Sequence, residues 1–442
     1  MTARILDVFI NGRLAGKLVE NRDVWGFAYE EEWMGDPRAF PLAPGISLAK
    51  RRHIDGSTHR SVQWFFDNLL PEEALRSAIS KELEVNEHDA FGLLQALGAE
   101  SAGSLVLLPP GAGAAERGAR RLEFGELSLR LRNLPRTSLH AGSPKRMSLA
   151  GAQHKMVVLY DEKTARLQEP FQGTASSHIL KPDSTAEGYP HSTVNEAFTM
   201  KLAGRLGLDV PPVHLLYTPE PAYVINRFDR VFDEASQEWL RLHVVDACQL
   251  LDLARTFKYQ GASIQTLASL MDRCREKAQA RMGIYQWLLF NTLVGNSDSH
   301  LKNLSFLVDR GGVRLAPFYD LLSTAVYHTR AYADEHAVWP QERLTVPLAG
   351  AAFFADVTYG KLLAAGTALG LTQSTSGRVL DRMLGMLAPQ ADTLIAEFEA
   401  GQLHQPADSA MDHSTRSAHL RMLRSIRHIV IEDMLALVRK TK

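Results

Sequence analysis

Apolar and polar residues alternate along the first stretch of the chain, from Leu6 to Leu18. The pair Asn11-Gly12 interrupts this alternation, and such a dipeptide is the preferred centre of a two-residue β-hairpin turn. Between Ser61 and Leu97 the apolar residues instead recur every three or four positions, which predicts helices, with a break at Pro71. The pattern therefore predicts a small α+β subdomain over residues 1–108.

Residues 109–120 are rich in proline, glycine and alanine and are predicted to form a linker. Short runs of β-branched and apolar residues follow between 121 and 240 and predict a second sheet. These runs are Met156 to Tyr160, His178 to Leu180, His214 to Tyr217 and Tyr223 to Ile225. One helix is predicted among them, from Val194 to Leu206, because its apolar residues form a single stripe and Gly207 is a typical helix stop.

Helical periodicity dominates the remaining residues, 241–442, which are predicted to be mainly helical. The predicted helices are Ser263 to Ala278, Gly283 to Val294, Val357 to Leu369, Gly377 to Leu387 and about Ser417 to Val438. The run Val244 to Leu253 is also interpreted as helical, with Cys248 as a small core residue. Two strand-like pieces, Leu304 to Val308 and Val313 to Ala316, flank Gly311-Gly312 and predict a hairpin.

Composition narrows the class of protein. The chain has 442 residues, of which 45% are hydrophobic and 22% charged, as in an ordinary globular protein with more than one domain. A formal net charge of -1 gives no global attraction to nucleic acid or to an anionic membrane. The two cysteines are too few for a disulfide framework, and neither a signal peptide nor a membrane-spanning run is recognisable. We therefore expect a cytoplasmic protein that is neither exported nor embedded in a membrane.

The most informative string begins with Asp298 and ends with Asn303, between an apolar helix and the predicted hairpin. Protein kinases use this D-x-x-x-x-N spacing: the aspartate orients the attacking hydroxyl group, and the asparagine holds a metal ion beside the nucleotide phosphates. Asp320 follows the hairpin, where a second carboxylate could bind Mg²⁺. A solvated polar loop can have the same composition. Two candidate metal ligands at the two ends of one hairpin nevertheless favour a functional site over such a loop.

A kinase also needs a cation on the phosphates and a group that orients it. Lys181 closes a short apolar run before Pro182, and Glu196 lies in the first turn of the helix that follows. A lysine from a sheet paired with a glutamate from the adjacent helix is the arrangement that kinases use. Two alternatives remain open: Thr193 and Glu196 could form a capping box, and Lys181 could be a solvated residue at a strand end.

A loop of small residues, from Ser148 to Lys155, enters the strand at Met156 and could let backbone amides approach a phosphate. An ordinary turn that binds no phosphate can have the same sequence pattern, so this alternative stays open. The chain contains no Walker motif, no H-E-x-x-H and no G-x-S-x-G, which argues against a P-loop NTPase, a zinc protease and a serine hydrolase.

Taken together, these residues resemble the HipA family, the serine/threonine kinase toxins of bacterial toxin–antitoxin systems. The motifs that carry the resemblance are Ser148 to Gln153 with Lys155, Lys181, Arg227 to Arg230, Asp298 to Asn303, Phe318 to Asp320, and Ser61 to Pro71 in the N-terminal subdomain. The resemblance implies an α+β fold: a two-lobed, protein-kinase-like architecture with an extra β-rich N-terminal subdomain and an all-helical C-lobe.

The resemblance also implies roles for individual residues. Asp298 would be the catalytic base, Asn303 and Asp320 the Mg²⁺ ligands, Lys181 the phosphate-binding lysine and Ser148 the site of inhibitory autophosphorylation. The residues expected to surround ATP are Ala150, Gly151, Ala152, Gln153, His154, Lys155, Asn226, Arg227, Phe228, His300, Leu301, Lys302 and Tyr319. His154 and Asn226 depart from the residues common in the family at those positions. Asn226 is expected to be tolerated, because contacts at the hinge are made largely through backbone groups, whereas His154 leaves the behaviour of the loop and the choice of substrate open.

The implied partners are a HipB-like helix-turn-helix antitoxin, operator DNA reached through that antitoxin, and an aminoacyl-tRNA synthetase as substrate, with the glutamyl enzyme as the first candidate. Two other functions remain open at this point. One is a nucleotide-binding pseudokinase that acts as an antitoxin-bound transcriptional co-repressor, and the other is a small-molecule kinase of related shape.

Overall fold

The computed structural model describes residues 3–112, 117–134, 136, 139, 143, 150–151, 153–171, 173–402 and 411–442. Backbone contacts divide the chain into two compact units. The first unit comprises Met1–Leu180, Arg227–Lys258 and Ser305–Ala316, and the second comprises Lys181–Asn226, Tyr259–Leu304 and Pro317–Lys442. Each unit is therefore assembled from three separate segments of the chain.

Strands and helices are numbered in chain order. The strands are β1 Arg4–Ile10, β2 Arg13–Asn21, β3 Val24–Tyr29, β4 Arg52–Ile54, β5 Leu105–Leu108, β6 Ala119–Leu122, β7 Met156–Asp161, β8 Arg166–Pro170, β9 His178–Pro182, β10 Val213–Tyr217, β11 Pro221–Asn226, β12 Arg230–Asp233, β13 Glu238–Arg241, β14 Val244–Asp246, β15 Ser305–Asp309, β16 Gly312–Leu315, β17 Arg343–Leu348 and β18 Ala351–Phe353. The helices are α1 Glu31–Met34, α2 Ser61–Asp67, α3 Glu73–Leu83, α4 Ala90–Leu97, α5 Phe124–Arg132, α6 Ser192–Arg205, α7 Ala247–Leu251, α8 Ile264–Arg273, α9 Lys277–Leu293, α10 Arg330–Ala333, α11 Tyr359–Ala368, α12 Gln373–Glu399, α13 His413–Ser425 and α14 Glu432–Lys440.

The first unit begins with an antiparallel sheet in the order β4-β3-β2-β1-β5. Its predicted hairpin is confirmed: β1 pairs with β2, and Asn11 and Gly12 both have positive φ angles, 47° and 78°, as a two-residue hairpin turn requires. The predicted helices between Ser61 and Leu97 are confirmed as α2, α3 and α4. Trp25 of β3 packs edge-on against Phe91 of α4, so the sheet and the helices share one core.

The rest of the first unit contains three further groups of paired strands, one of which is the antiparallel pair of β12 and β13. Strands β9, β7, β8 and β6 are hydrogen-bonded neighbours in that order, which confirms the strands predicted at 156–160 and 178–180. The predicted hairpin around Gly311-Gly312 is confirmed as β15 and β16, and β14 pairs with β15 on its other side. Of the predicted linker, residues 113–116 lie outside the described residues, and β6 already begins at Ala119.

The second unit contains the antiparallel hairpin of β10 and β11, and α6 packs against both strands. Both predicted strands are confirmed there, and the predicted helix begins two residues earlier than expected, at Ser192. Val194, Phe198 and Leu202 are buried, as the single apolar stripe predicted.

Several helix boundaries in the C-terminal half differ from the predictions. The predicted helix Ser263 to Ala278 ends at Arg273, because Cys274 adopts an extended conformation, and the next helix begins at Lys277 instead of Gly283. The helix predicted from Gly377 to Leu387 runs on to Glu399 through Pro389, because buried apolar residues continue on both sides of the proline.

Three further differences concern the same half. The run from Val244 is not one helix, since β14 precedes the short helix α7, although Cys248 is fully buried as expected. The terminal helix begins at His413, and a π-helical segment, Ile426–Ile431, separates α13 from α14. The hairpin of β17 and β18 lies among the helices, where the sequence pattern predicts no strand, so the expectation of an all-helical C-lobe is wrong in this detail. Within the described part of the chain, no helix combines the length and the apolar character needed to cross a membrane.

Candidate active site

Lys181 lies between two carboxylates of the second unit. Its ammonium group donates hydrogen bonds to Glu196 Oε1 at 2.8 Å and to Asp320 Oδ1 at 2.7 Å, and Nζ lies 5.7 Å from the ring centre of Tyr223. Desolvation opposes a charge on this buried lysine, but the carboxylates of Asp320 and Glu196 outweigh it and raise the pKa of Lys181 above its usual value. Lys181 therefore stays protonated, and we call these three residues the Lys181 cluster.

The local structure explains why Glu196 reaches Lys181. The N-cap residue of α6 is His191, and the helix begins at Ser192, one residue before Thr193. Thr193 is therefore not the N-cap residue. Thr193 bonds to Asp183, through both its backbone N–H and its hydroxyl group. The capping-box alternative is therefore wrong: Glu196 lies one turn inside the helix, and its carboxylate pairs with Lys181 near the end of β9. Lys181 is likewise not a solvated strand-end residue, since its exposed fraction is 8%.

Asp298 lies in the loop that follows α9. Its backbone N–H donates to Asn296 Oδ1 at 3.0 Å, and its carbonyl group accepts a hydrogen bond from Asn303 Nδ2 at 2.8 Å. The hydroxyl group of Tyr259 donates to Asp298 Oδ1 at 2.6 Å. These contacts close residues 296–303 into one hydrogen-bonded loop, which we call the Asp298 loop, and Tyr259 orients the aspartate carboxylate.

Asp320 connects the Asp298 loop with the Lys181 cluster. The preceding residue, Tyr319, donates its hydroxyl hydrogen to the Lys302 carbonyl oxygen at 2.8 Å. Asp320 itself has a φ angle of 58°, a left-handed conformation that costs a non-glycine residue roughly 1–2 kcal/mol. Its side chain is 33% exposed. Hydrogen bonds and adjacent residues thus connect Asp298, through its loop and Tyr319, to Asp320 and Lys181. All of these residues belong to the second unit.

The remaining predicted residues of the Asp298 loop are buried. His300, Leu301 and Lys302 have exposed fractions of 8%, 1% and 6%. The ring of His300 packs edge-on against Tyr259, with 5.0 Å between ring centres. The loop is therefore packed against protein on the side of these residues.

The oxygen atoms of Asp320 and Asn303 fit a magnesium ion chemically. Mg²⁺ binds oxygen ligands, mainly from carboxylates with added water and phosphate oxygens. Because Asn303 uses Nδ2 to hold the Asp298 carbonyl group, its Oδ1 is the atom left for a metal ion. Asp320 contributes a carboxylate whose side chain is 33% exposed.

The predicted phosphate loop belongs to the first unit, and its residues Ser148 and Ala152 lie outside the described residues. Lys155 folds back on the loop and donates to the Ala150 carbonyl oxygen at 2.6 Å. Gly151 has a φ angle of 108°, a backbone conformation that favours glycine over residues with a side chain. Burial lowers the pKa of His154, which is half-buried beside Gln153.

The residues predicted to contact adenine divide between the two units. Asn226 ends β11 of the second unit, where its N–H donates to the Pro212 carbonyl oxygen at 3.0 Å. Phe228 packs against a small apolar cluster of the first unit that contains Val244. Arg227 is 5% exposed, and its guanidinium group is engaged by other protein groups, so its side chain cannot reach a nucleotide and only its backbone remains for that role.

Arg227 belongs to a buried group of ions in the first unit, which we call the Glu100 cluster. The Glu100 carboxylate accepts hydrogen bonds from Arg227, Arg230 and Arg241 at 2.8–2.9 Å. Asp229 pairs with Arg227 and Arg230, and these arginines hold the pKa of Asp229 at about 2 although burial alone would raise it. The string Arg227-Phe228-Asp229-Arg230, recognised in the sequence as a motif, thus forms a structural ion network.

Sequence reasoning missed two residues of the site, Tyr259 and Tyr223. Tyr259 lies 39 positions before Asp298, in a polar stretch with no recognisable motif. Tyr223 was placed on a strand, but nothing in the sequence showed that its ring lies near Lys181. Both contacts join distant parts of the chain, and no local signal could have revealed them.

A cavity of about 690 Å³ opens in the second unit. Three tyrosines, Tyr189, Tyr327 and Tyr332, line it together with acidic residues that include Glu187 and Glu335. His328 also lines the cavity, and its Nε2 lies 3.5 Å from Glu342 Oε1, which accepts a hydrogen bond from the hydroxyl group of Ser297 in the Asp298 loop. The cavity therefore lies beside the Asp298 loop.

Comparisons with known proteins identify the family to which the chain is similar. Residues 147–388 match the family model described as the HipA-like C-terminal domain, and residues 6–108 match the HipA N-terminal domain. The putative kinase Y4mE of Sinorhizobium fredii is 38% identical over 342 residues, which cover 74% of this chain and 79% of the relative. The serine/threonine-protein kinase toxin HipA of Shewanella oneidensis is 33% identical over 323 residues, with coverages of 69% and 71%.

A solved structure extends the likeness to the whole chain. The complex of HipA, HipB and operator DNA from Shewanella oneidensis MR-1 contains a chain that superposes with a TM-score of 0.76 at 25% identity, covering 99% of this chain and 100% of that one. The expected kinase-like α+β fold is confirmed by this match.

Proposed function

The chain belongs to the HipA family of protein kinases, and we propose that it is an ATP- and Mg²⁺-dependent serine/threonine kinase that acts as the toxin of a HipBA-type toxin–antitoxin module. One observation carries the proposal: Lys181 contacts both Glu196 and Asp320, and bonded contacts join this cluster to Asp298. A lysine anchored by a helix glutamate, a metal-binding aspartate and a catalytic aspartate are the parts that phosphoryl transfer requires.

Asp298 would act as the base that receives the proton of the acceptor hydroxyl group. Tyr259 donates a hydrogen bond to Oδ1 of Asp298, and the Asp298 backbone is bonded to Asn296 and Asn303. These contacts orient the Asp298 carboxylate before the substrate arrives, which lowers the cost of orientation during the reaction.

Lys181 would bind the nucleotide phosphates, and Asn303 and Asp320 would hold Mg²⁺, which neutralises charge on the transferred phosphoryl group. Lys181 keeps its charge because the carboxylates of Asp320 and Glu196 both contact it, and Glu196 orients it from the helix side. We infer that Gly151 and the other loop residues from Ala150 to Lys155 cover the phosphates through backbone amides, and that residues 226–228 contact adenine through the backbone.

Ser148 is proposed as a site of autophosphorylation that switches the kinase off. A phosphoserine adds about -1.5 to -2 charges to a loop shaped for the phosphates of ATP, so the two groups compete for one place. This regulation rests on the family resemblance of the loop.

We propose an aminoacyl-tRNA synthetase as the protein substrate, with glutamyl-tRNA synthetase as the first candidate. Phosphorylation of such an enzyme would halt translation and arrest growth in the cytoplasm. The aromatic cavity beside the Asp298 loop supports a protein acceptor, since tyrosine-lined surfaces bind peptide segments well.

A HipB-like antitoxin is the proposed partner. The solved HipA of Shewanella oneidensis is in a complex with HipB and operator DNA. With a net charge of -1, this chain has no global attraction to DNA, so we propose that operator DNA is reached mainly through the antitoxin.

The test compares the intact protein with Asp298→Asn and with Asp272→Asn, a control at an exposed carboxylate of α8 that pairs with Arg281. Each is incubated with labelled ATP and Mg²⁺, and phosphorylated Ser148 and lysate proteins are identified by mass spectrometry. Removing the base should lower the rate by about 10²- to 10⁴-fold. The control should label normally.

The outcomes separate the candidate functions. Label that persists in Asp298→Asn would remove Asp298 from its role. An intact protein that transfers no phosphate, yet binds antitoxin and operator as tightly as Asp298→Asn does, would be a pseudokinase co-repressor. Unlabelled lysate proteins together with consumption of a metabolite would indicate a small-molecule kinase.

A further inference from the structure

Three potential metal ligands meet in the second unit, outside the proposed kinase machinery. They are Asp183, directly after β9, His191 at the N-cap of α6, and His419 in α13. One oxygen or nitrogen atom from each lies within 4.8 Å of the corresponding atoms of the other two. The rings of His191 and His419 lie 5.2 Å apart at their centres.

His419 is the most informative member. It is fully buried, and its Nδ1 makes a hydrogen bond of 2.9 Å with the hydroxyl group of Tyr217. Its Nε2 is also buried but finds no hydrogen-bond partner among the described residues. Such an orphaned polar atom is rare and requires an explanation.

Neighbouring residues support Asp183 and His419 in the way that metal ligands are usually supported. Thr193 donates its backbone N–H and its hydroxyl hydrogen to Oδ1 of Asp183, at 2.9 and 2.6 Å, which leaves Oδ2 for a ligand. With a metal ion on Nε2, the Nδ1–H of His419 would donate to Tyr217, and that contact fixes the ring. His191 has a left-handed φ of 58° and makes no capping bond, although the N-cap position favours a residue that does.

We propose that Asp183, His191 and His419 bind one Zn²⁺ ion. Two imidazoles and one carboxylate form a ligand set that zinc accepts, with the fourth position open to water, whereas Mg²⁺ prefers oxygen ligands alone. A tetrahedral zinc ion with bonds of about 2.0–2.1 Å holds its ligand atoms about 3.4 Å apart. His191 is half-buried, so rotation of its side chain can close the remaining distance.

The proposed zinc site lies between the two elements that carry Lys181 and Glu196. Asp183 lies two residues after Lys181, and His191 begins the helix that carries Glu196. A bound ion would therefore fasten the end of β9 to the start of α6, the two elements that position the lysine and its partner. Zinc should accordingly raise the melting temperature of the protein, because an ion that binds only the folded state stabilises it.

The experiment titrates the full-length, metal-free protein with Zn²⁺ by calorimetry and with Co²⁺ by absorption spectroscopy. One ion per chain and the intense visible bands of tetrahedral cobalt are expected. His419→Gln and Asp183→Asn should each weaken zinc binding by about 100-fold or more, and Tyr217→Phe by about 10- to 100-fold. His413→Gln, at an exposed position of the same helix, should bind like the intact protein.

Absence of binding at micromolar zinc would overturn the proposal, as would binding that survives unchanged in His419→Gln. Should His419→Gln fail to fold, His191→Ala at the half-buried ligand replaces it in the same comparison. Asp320→Asn removes a proposed Mg²⁺ ligand and should leave the zinc stoichiometry at one, so failure of the kinase assignment and failure of the zinc site are separate results.

Discussion

The Glu100 cluster of the first unit and the Lys181 cluster of the second both bury cations against carboxylates, yet they differ in exposure. In the Glu100 cluster, the side chains of Glu100 and Arg230 are 0% exposed. In the Lys181 cluster, the Asp320 side chain is 33% exposed and its backbone is left-handed. One cluster is closed to any ligand, and the other presents a carboxylate to solvent.

The two clusters also differ in their cations, which are arginines in the Glu100 cluster and a lysine in the Lys181 cluster. Arginine offers a planar fork of donors that can satisfy several oxygen atoms at once and does not lose its proton, which suits a permanent network. Lysine offers a compact charge that can exchange one oxygen partner for another, which suits a group that must meet phosphates. A buried ion group therefore indicates function when one of its members remains accessible, and burial alone does not distinguish the two cases.

The largest effect is expected from Glu100→Gln, which breaks the closed cluster. Loss of this carboxylate leaves three arginines with too few anionic partners in a buried site, and we expect the free energy of unfolding to fall by about 3–5 kcal/mol. Urea denaturation of the full-length protein measures it. Glu31→Gln is the control, because Glu31 is 77% exposed in its pair with Arg51, and it should change stability by less than about 0.5 kcal/mol. Equal midpoints for both variants would contradict the structural role of the cluster.

The next effect is expected from Glu196→Gln in the open cluster. Lys181 loses the partner that orients it, and we expect the rate of phosphoryl transfer to fall by about 10²- to 10³-fold. Stability should change less than in Glu100→Gln, because Asp320 still pairs with Lys181.

The matched control for Glu196→Gln is Glu397→Gln, which removes the partner of Arg205 at the other end of α6. Initial rates measured beside urea denaturation should show normal transfer in this control. If Glu196→Gln instead loses stability while each folded molecule transfers phosphate at the normal rate, Glu196 is a structural residue and not one that orients Lys181.

A smaller effect on stability is expected from lowering the pH, and it arises from Asp229 in the Glu100 cluster. The pKa of Asp229 is lowered from its usual 3.8 to about 2, so between these values the unfolded chain binds the extra proton. Stability contributed by Asp229 is therefore complete above about pH 4 and is lost as the pH falls toward 2, by at most about 1.4 kcal/mol per pH unit. Denaturation at pH 5 and pH 3 should show a shallower pH dependence for Asp229→Asn than for the intact protein. Identical slopes would mean that Asp229 has no ion partner in the folded state.

Local signals allowed much of this molecule to be predicted from its sequence. The hairpin at Asn11-Gly12 depends on two adjacent residues, and the position of Glu196 depends on the period of one helix. The spacing from Asp298 to Asn303 depends on a single loop. In each case the residues that determine the structure are close in sequence, so the pattern and the structure agree.

Contacts between distant segments could not be predicted. The bond between Tyr259 and Asp298 and the pairing of Glu100 with Arg241 depend on how separate segments meet, and composition carries no trace of either. Helix α12 passes through Pro389 because its buried side chains outweigh the local cost of the proline, whereas a local rule ends the helix there.

The segmented make-up of the first unit has a consequence for its synthesis. Glu100 emerges from the ribosome long before Arg227, Arg230 and Arg241, and burying its charge without them would be costly. The unit also needs β15 and β16, so its final closure must wait until residue 316 has left the exit tunnel. Nascent chains that stop earlier should carry an incomplete amino-terminal body, a natural target for chaperones.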